Sequence, residues 1–324
     1  MFSVNLTNLD FPISSVLDLS AMTTIIITIL NGLIILMGVV GNGLVIYGSI
    51  IHKAIEIDWV SLIFIEALAV IDLLITCFTY LPTMVTLCAG KWVLGIEICY
   101  ITGYLKIAPT ISQIAIITAM SFYRSWRITF PFSSSVKGFT IKMATVLMIS
   151  LPLCLVIFLE LAGSQAMFVP ITFQCTSTLD DQKLEDGVEM FIIIVLTILP
   201  LIAVVIMNVI IVVITTKNAA RIHVDMNKKT FLTTSAICWV FILSYSPLVT
   251  STVLELCRIG VPDWFTLLSR YSLAITVIAN PFIYSITNKK FGQFLKGVVR
   301  KRSPVVPLRV LHHLVVVNQA RSDN

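Results

Sequence analysis

Apolar residues along this chain gather into seven long runs, approximately 22–51, 58–87, 96–128, 141–162, 188–217, 228–257 and 264–287. A helix needs about 20 predominantly apolar residues to cross roughly 30 Å of hydrocarbon. The runs meet that length, so the pattern predicts an all-α membrane protein built from seven spanning helices, with the longer ones tilted or projecting beyond the lipid. After the last run the period changes. Phe291, Phe294, Leu295, Val298 and Val299 recur at helical spacing among Lys289, Lys290, Lys296 and Arg300. A basic amphipathic helix of this kind lies along a membrane surface. The predicted organisation is an outer segment over 1–21, a bundle with its surface helix (about 289–300) over 22–300, and an inner tail over 301–324.

Composition agrees with the pattern. Hydrophobic residues make up 57% of 324 positions and charged residues 12%, with a mean hydropathy of +0.98; a soluble domain carries about twice that charged fraction. The net charge of +5 is distributed, not general. With the N-terminus outside, the inner loops and tail collect Lys53, Arg124, Arg127, Lys137, Lys142, Lys217, Arg221, Lys228, Lys229 and eight more from Lys289 to Arg321, against Lys91, Lys183 and Arg258 outside. That bias sets orientation and implies no nucleic-acid partner. Asp180, Asp181, Glu185, Asp186 and Glu189 crowd the second outer loop. Residues 1–20 lack a basic start, so the first span is expected to insert without a cleaved signal. Asn5-Leu6-Thr7 is a glycosylation sequon on the outer side.

The third span serves as a ruler. Cys99 and Arg124 are 25 residues apart, about 37 Å at 1.5 Å per residue, so one helix carries the cysteine to the outer surface and the arginine to the inner one. Cys99 can reach Cys175, the cysteine of the second outer loop, and an oxidising exterior favours that disulfide. Cys88 and Cys257, also near outer ends, leave a second bridge open.

Punctuating residues on the spans resemble those of the rhodopsin-like (class A) G protein-coupled receptors. They are Gly41-Asn42; Leu68-Ala69-Val70-Ile71-Asp72 with Pro82; Trp92 before Cys99; Arg124 with Pro131 after it; Pro200; Phe241-Ile242-Leu243-Ser244-Tyr245-Ser246-Pro247; and Asn280-Pro281-Phe282-Ile283-Tyr284. The resemblance covers roughly residues 30–300. It implies a receptor that binds an extracellular ligand, sits in the plasma membrane and activates heterotrimeric G proteins by opening its inner face, with no catalytic residues and no cofactor. Asp72, Tyr123, Arg124, Phe241, Pro247, Asn280, Pro281 and Tyr284 would form its switch.

Several positions depart from the family. The acid that usually precedes the third-span arginine is Tyr123, and Ser125 follows; Asn227 replaces the acid at the foot of the sixth span, and Asn208 the supporting tyrosine of the fifth. Resting and active supports are both altered, and the expectation is raised basal activity. By resemblance Asp72 binds sodium near Asn42 and Asn280, but Gln113 and Val277 stand where helpful partners usually lie. The alternative is a protonated Asp72 hydrogen-bonded to Asn280.

Lys106 lies seven residues below Cys99, where amine receptors carry their ligand-binding aspartate, and Arg270 lies three turns above Pro281. By resemblance both face the pocket, over a floor at Tyr245. An amine ligand is disfavoured, and Ala274 rules out a retinal Schiff base. Two cations on one cavity suit a carboxylate, a phosphate or a peptide carboxy-terminus, held by charge-assisted hydrogen bonds. The competing reading has Glu160, Glu255 or the acidic loop neutralise them. The tail carries Ser303 and Ser322 and no cysteine, so weak arrestin binding and no palmitoylation are expected; Pro304 to Arg309 matches a proline-rich adaptor ligand. A transporter would show internal repeats, and an intramembrane hydrolase paired aspartates, a Ser/His pair or a zinc motif; neither pattern is found. A heptahelical scavenger or partner subunit that does not signal is the remaining alternative.

Overall fold

A chain in hydrocarbon must pair its backbone N–H and C=O groups internally, which makes the helix the default for long apolar runs. The computed structural model describes residues 21–50, 59–130, 165–178, 182–217 and 228–299, with a few isolated positions besides. Most of the fourth predicted span, Asn5, Pro131, Glu160, Asn227 and the tail from 301 lie outside the described residues. Among the described residues, 6 helices are long and apolar enough to cross a membrane, so this is a multi-pass membrane protein. Their lipid-side positions are apolar, as at Leu36, Leu243 and Ile286, all well exposed.

The first span is α1 (Ala21–Ile50). The second is α2 (Trp59–Ile75), continued through a π-helical turn (Thr76–Tyr80) into α3 (Leu81–Ala89). The third joins α4 (Gly95–Leu105) to α5 (Ile107–Thr129). Strands β1 (Gln165–Val169) and β2 (Gln174–Thr178) form an antiparallel hairpin. The fifth span is α6 (Gln182–Ile193), a π-helical turn (Ile194–Ile198) and α7 (Leu199–Lys217). The sixth is α8 (Lys228–Leu256), the seventh α9 (Asp263–Ser272) with α10 (Ala274–Thr287), and α11 (Lys289–Val299) follows as the eighth helix.

Prolines account for most of the irregularities, because each removes a donor and leaves a carbonyl four residues earlier unpaired. Pro82 and Pro200 each come two residues after a π-helical turn ends, where one inserted residue absorbs the lost bond. Pro109 denies a donor to Leu105, at the junction of α4 and α5 beside Lys106. Pro247 lies inside α8, and the carbonyl it frees, Leu243, accepts instead from Ser246 Oγ at 3.0 Å. Pro281 lies inside α10, and the carbonyl it frees, Val277, accepts from Asn42 Nδ2 on α1 at 3.0 Å.

That cross-helix bond needs α1 close to α10. Gly41 permits it, since a Cβ there would fall 2.8 Å from Pro281 Cγ. Two residues before the end of α1, Gly48 does the same for α11, where a Cβ would lie 3.0 Å from the rings of Phe291 and Phe294. Asn288 Oδ1 accepts from the Phe291 backbone N–H at 3.3 Å, capping α11 at its start, and Phe291 is fully buried against Tyr284.

At the opposite end the disulfide Cys99–Cys175 joins α4 to β2. Trp92, Phe168 and Phe173 pack round it, and Trp92 Nε1 donates to the Gly95 carbonyl at 2.8 Å. Cys88 and Cys257 are free and exposed, so the second bridge left open by the sequence does not form. A second correction concerns the acidic stretch. The fifth span begins at Gln182, six residues before its apolar run, so Glu185, Asp186 and Glu189 stand on helix α6 and not in a loop.

Candidate functional site

Breaks in the helices converge at the disulfide end of the bundle and open a cavity of about 260 Å³. The junction at Lys106, the turn at Thr79 and Tyr80, the turn holding Thr197, and the α9–α10 boundary at Leu273 all reach its wall. Lys106, Arg270 and Tyr245, which the resemblance put at the pocket, all line it. Glu255, expected with them, is not among the lining residues; it accepts from Ser251 Oγ at 3.3 Å, and its charge acts on Arg270 through space. The acids that do line the cavity are Glu185 and Glu189 of α6. The sequence offered both acids as part of a loop that neutralises the cations; it did not place them on the helix of the fifth span, whose start lies before the apolar run at 188.

Lys106 Nζ donates to the Cys175 carbonyl, so the disulfide and hairpin hold this cation at the cavity's upper wall. Lys106 and Arg270 feel each other's charge, and Arg270 also feels Glu189. Two like charges that line one cavity repel, and an anion beside them relieves that repulsion.

The floor is built on Gln113. Tyr245 Oη donates to Gln113 Oε1 at 2.9 Å, Thr276 Oγ1 approaches the same oxygen at 3.4 Å, and Gln113 Nε2 donates to Asp72 Oδ1 at 2.6 Å. Asn280 Nδ2 donates to Asp72 Oδ2 at 2.7 Å. Five side chains from the second, third, sixth and seventh spans thus form one buried network, and Phe241 packs against Tyr245 with tilted rings, centroids 4.3 Å apart. A fully connected polar network in a core specifies one packing. Gln113 looked like a missing partner in the sequence; in the structure it is the hub.

These residues do not fit a sodium ion at Asp72. Both carboxylate oxygens face amide N–H groups, whose positive ends repel a cation, and the hydroxyl of Tyr245 fixes which end of the Gln113 amide points at Asp72. Among the described residues no group of three or more His, Cys, Asp or Glu could hold a metal.

At the far end Arg124 is 6% exposed and turned into the bundle, with Nη1 reaching Ser235 Oγ of the sixth span at 3.4 Å. Ser121 and Cys238 meet beside it at 3.0 Å. Tyr123 faces Phe64, and Asn208 donates to its own helix at Val204 (2.8 Å). The Tyr284 hydroxyl is buried with no hydrogen-bond partner among the described residues, which leaves it available to a rearranged inner end.

The family described as 7 transmembrane receptor (rhodopsin family) matches residues 41–284. Over 130 residues, 40% of the chain, the sequence is 28% identical to the pyroglutamylated RF-amide peptide receptor of Rattus norvegicus, and equally to that of Mus musculus. The matched stretch spans 30% of those receptors' length.

Proposed function

Because the chain belongs to the rhodopsin family of seven-transmembrane receptors, we propose that it binds an anionic ligand between Lys106 and Arg270 and activates heterotrimeric G proteins from the Arg124 end. In this reading it is a plasma-membrane protein with its N-terminus extracellular, consistent with the Lys and Arg bias of its loops. The observation that carries the ligand class is the convergence of both cations on one cavity. The partial likeness to receptors for an RF-amide peptide favours a peptide over a phosphate, while the carboxylate is argued from the two cations alone.

Ligand contact at the floor moves Tyr245, and the network passes that movement on. Shifting Tyr245 disturbs its bond to Gln113, hence Asp72 and then Asn280 at the seventh-span kink, while Pro247 lets the sixth span swing two residues from the same tyrosine. Swinging the sixth span separates Ser235 from Arg124 and opens a groove for a G protein helix. A neutral serine of the sixth span meets Arg124 at 3.4 Å, and Tyr123 stands where the family's usual acid would precede that arginine; the altered triplet supports high signalling without ligand.

Screening short peptides and organic acids for stimulated nucleotide exchange on purified G proteins tests the reading. Active acids are expected, and Lys106→Glu should weaken their potency at least roughly 10- to 100-fold, the equivalent of one charge-assisted bond of ~1.5–3 kcal/mol. Unchanged potency would remove Lys106 from the site. Tyr123-Arg124-Ser125, lacking the usual acid, favours one alternative, a non-signalling scavenger; binding without any nucleotide exchange is its signature.

A further inference from the structure

The walls of the cavity carry both signs of charge, and they are sorted by helix. The cations come from the third and seventh spans. Helix α6 presents Glu185, Val188, Glu189, Ile192 and Ile193, a spacing that places one continuous face of the helix on the cavity with its two acids a turn apart. An acid in the first turn of a helix is ordinarily explained by the helix dipole. That covers Glu185 but not Glu189, a turn further along on the same cavity-lining face.

With Lys106 and Arg270 opposite two glutamates, the lining charges balance. A ligand that is only an anion meets Glu185 and Glu189 as repulsion; one that is only a cation meets Lys106 and Arg270. Glu255, outside the lining, and Glu189, within it, already act on the arginine through space, so an incoming carboxylate competes with Glu189 for Arg270, and the displaced glutamate needs a new positive partner. A ligand that carries its own cation supplies it. We infer that the cavity takes a zwitterion, a short peptide with free amino and carboxyl ends, its carboxylate on Lys106 and Arg270 and its ammonium on Glu185 and Glu189. The volume, about 260 Å³, is just below the ~300 to 1,000 Å³ of common ligand sites, and suits a molecule short enough for both ends to lie inside. This inference rests on the anionic reading of Lys106 and Arg270 and adds the opposite pole.

The experiment uses the full chain, purified in detergent, and follows its thermal unfolding midpoint against di- and tripeptides in four forms: both ends free, N-acetylated, C-amidated, and blocked at both ends. The free forms should raise the midpoint, and blocking either end should raise the half-maximal concentration at least ~10-fold. Glu189→Gln and Glu185→Gln should erase the penalty for N-acetylation while keeping that for amidation; Lys106→Gln and Arg270→Gln should do the reverse. The unliganded midpoint of each variant reports its folding, and either member of a pair suffices for its arm. Preference for N-acetylated peptides would overturn the zwitterion and leave the anionic reading standing. Preference for amidated peptides would overturn both. No shift with any of the four forms would also end the inference.

Discussion

Gln113 occupies a position where a single amide answers to several spans. Its oxygen accepts from Tyr245 and its nitrogen donates to Asp72. Replacing it by serine withdraws the donor from a fully buried carboxylate, and an orphaned buried polar partner costs ~1–3 kcal/mol, more when charged. Gln113→Ser should therefore lower the thermal midpoint of the purified receptor. The native protein's midpoint should be the same in sodium chloride as in choline chloride, whereas Gln113→Ser, with Asp72 Oδ1 released, should gain stabilisation from sodium. A sodium-dependent midpoint in the native chain would contradict the network. At this end of the size range sequence was informative about identity and silent about reach. Asp72, Asn280 and Tyr245 were recognisable from their neighbours along the chain, but the meeting of Gln113 with Tyr245, 132 positions away, depends on how helices lean. At the other end, Tyr123→Asp would place an acid beside Arg124, and ligand-free nucleotide exchange should fall; if it does not, the altered triplet is not the source of basal signalling.

A helix broken by proline in lipid can be repaired by a neighbouring helix, and α10 shows the consequence. Val277, deprived of its donor by Pro281, takes one from Asn42 on α1. Asn42→Ala should destabilise the protein by ~1–3 kcal/mol. Pro281→Ala restores a local N–H, so the loss on removing Asn42 should be smaller in that background, with a coupling of ~0.5–3 kcal/mol in a double-mutant cycle of midpoints. Strict additivity would mean that the cross-helix bond contributes nothing. Most elements were readable in the sequence because a membrane imposes length: the sixth and seventh spans end within a residue of where their apolar runs end. Helix α6 was not readable at its start, since Gln182 to Asp186 are mostly polar and precede the apolar run at 188. The hairpin was missed for a different reason. Its strands are 5 residues each, too short to set a period, and they are held by a disulfide and aromatic packing.

Across the molecule as a whole, the two ends are secured by different means. Near α11 the fastening is glycine-permitted ring packing; near the hairpin it is covalent. The disulfide closes 76 residues of chain, which in the loop-entropy account is worth up to roughly 4–5 kcal/mol, less where lipid already confines the spans. Cys175→Ser should lower the midpoint and also weaken peptide binding, because the Cys175 carbonyl positions Lys106; a fall in stability with unchanged affinity would separate the two roles. A last consequence follows from the direction of the hydrogen bond at the cavity floor. Tyr245 has one proton to give and gives it to Gln113. A molecule offering a lone pair at that depth would draw the proton away and unsettle everything beneath it, whereas one offering an N–H could rest on the phenol oxygen and leave the link intact. Agonists and silent blockers would then differ not in how tightly they hold, but in the polarity of the one group that touches bottom.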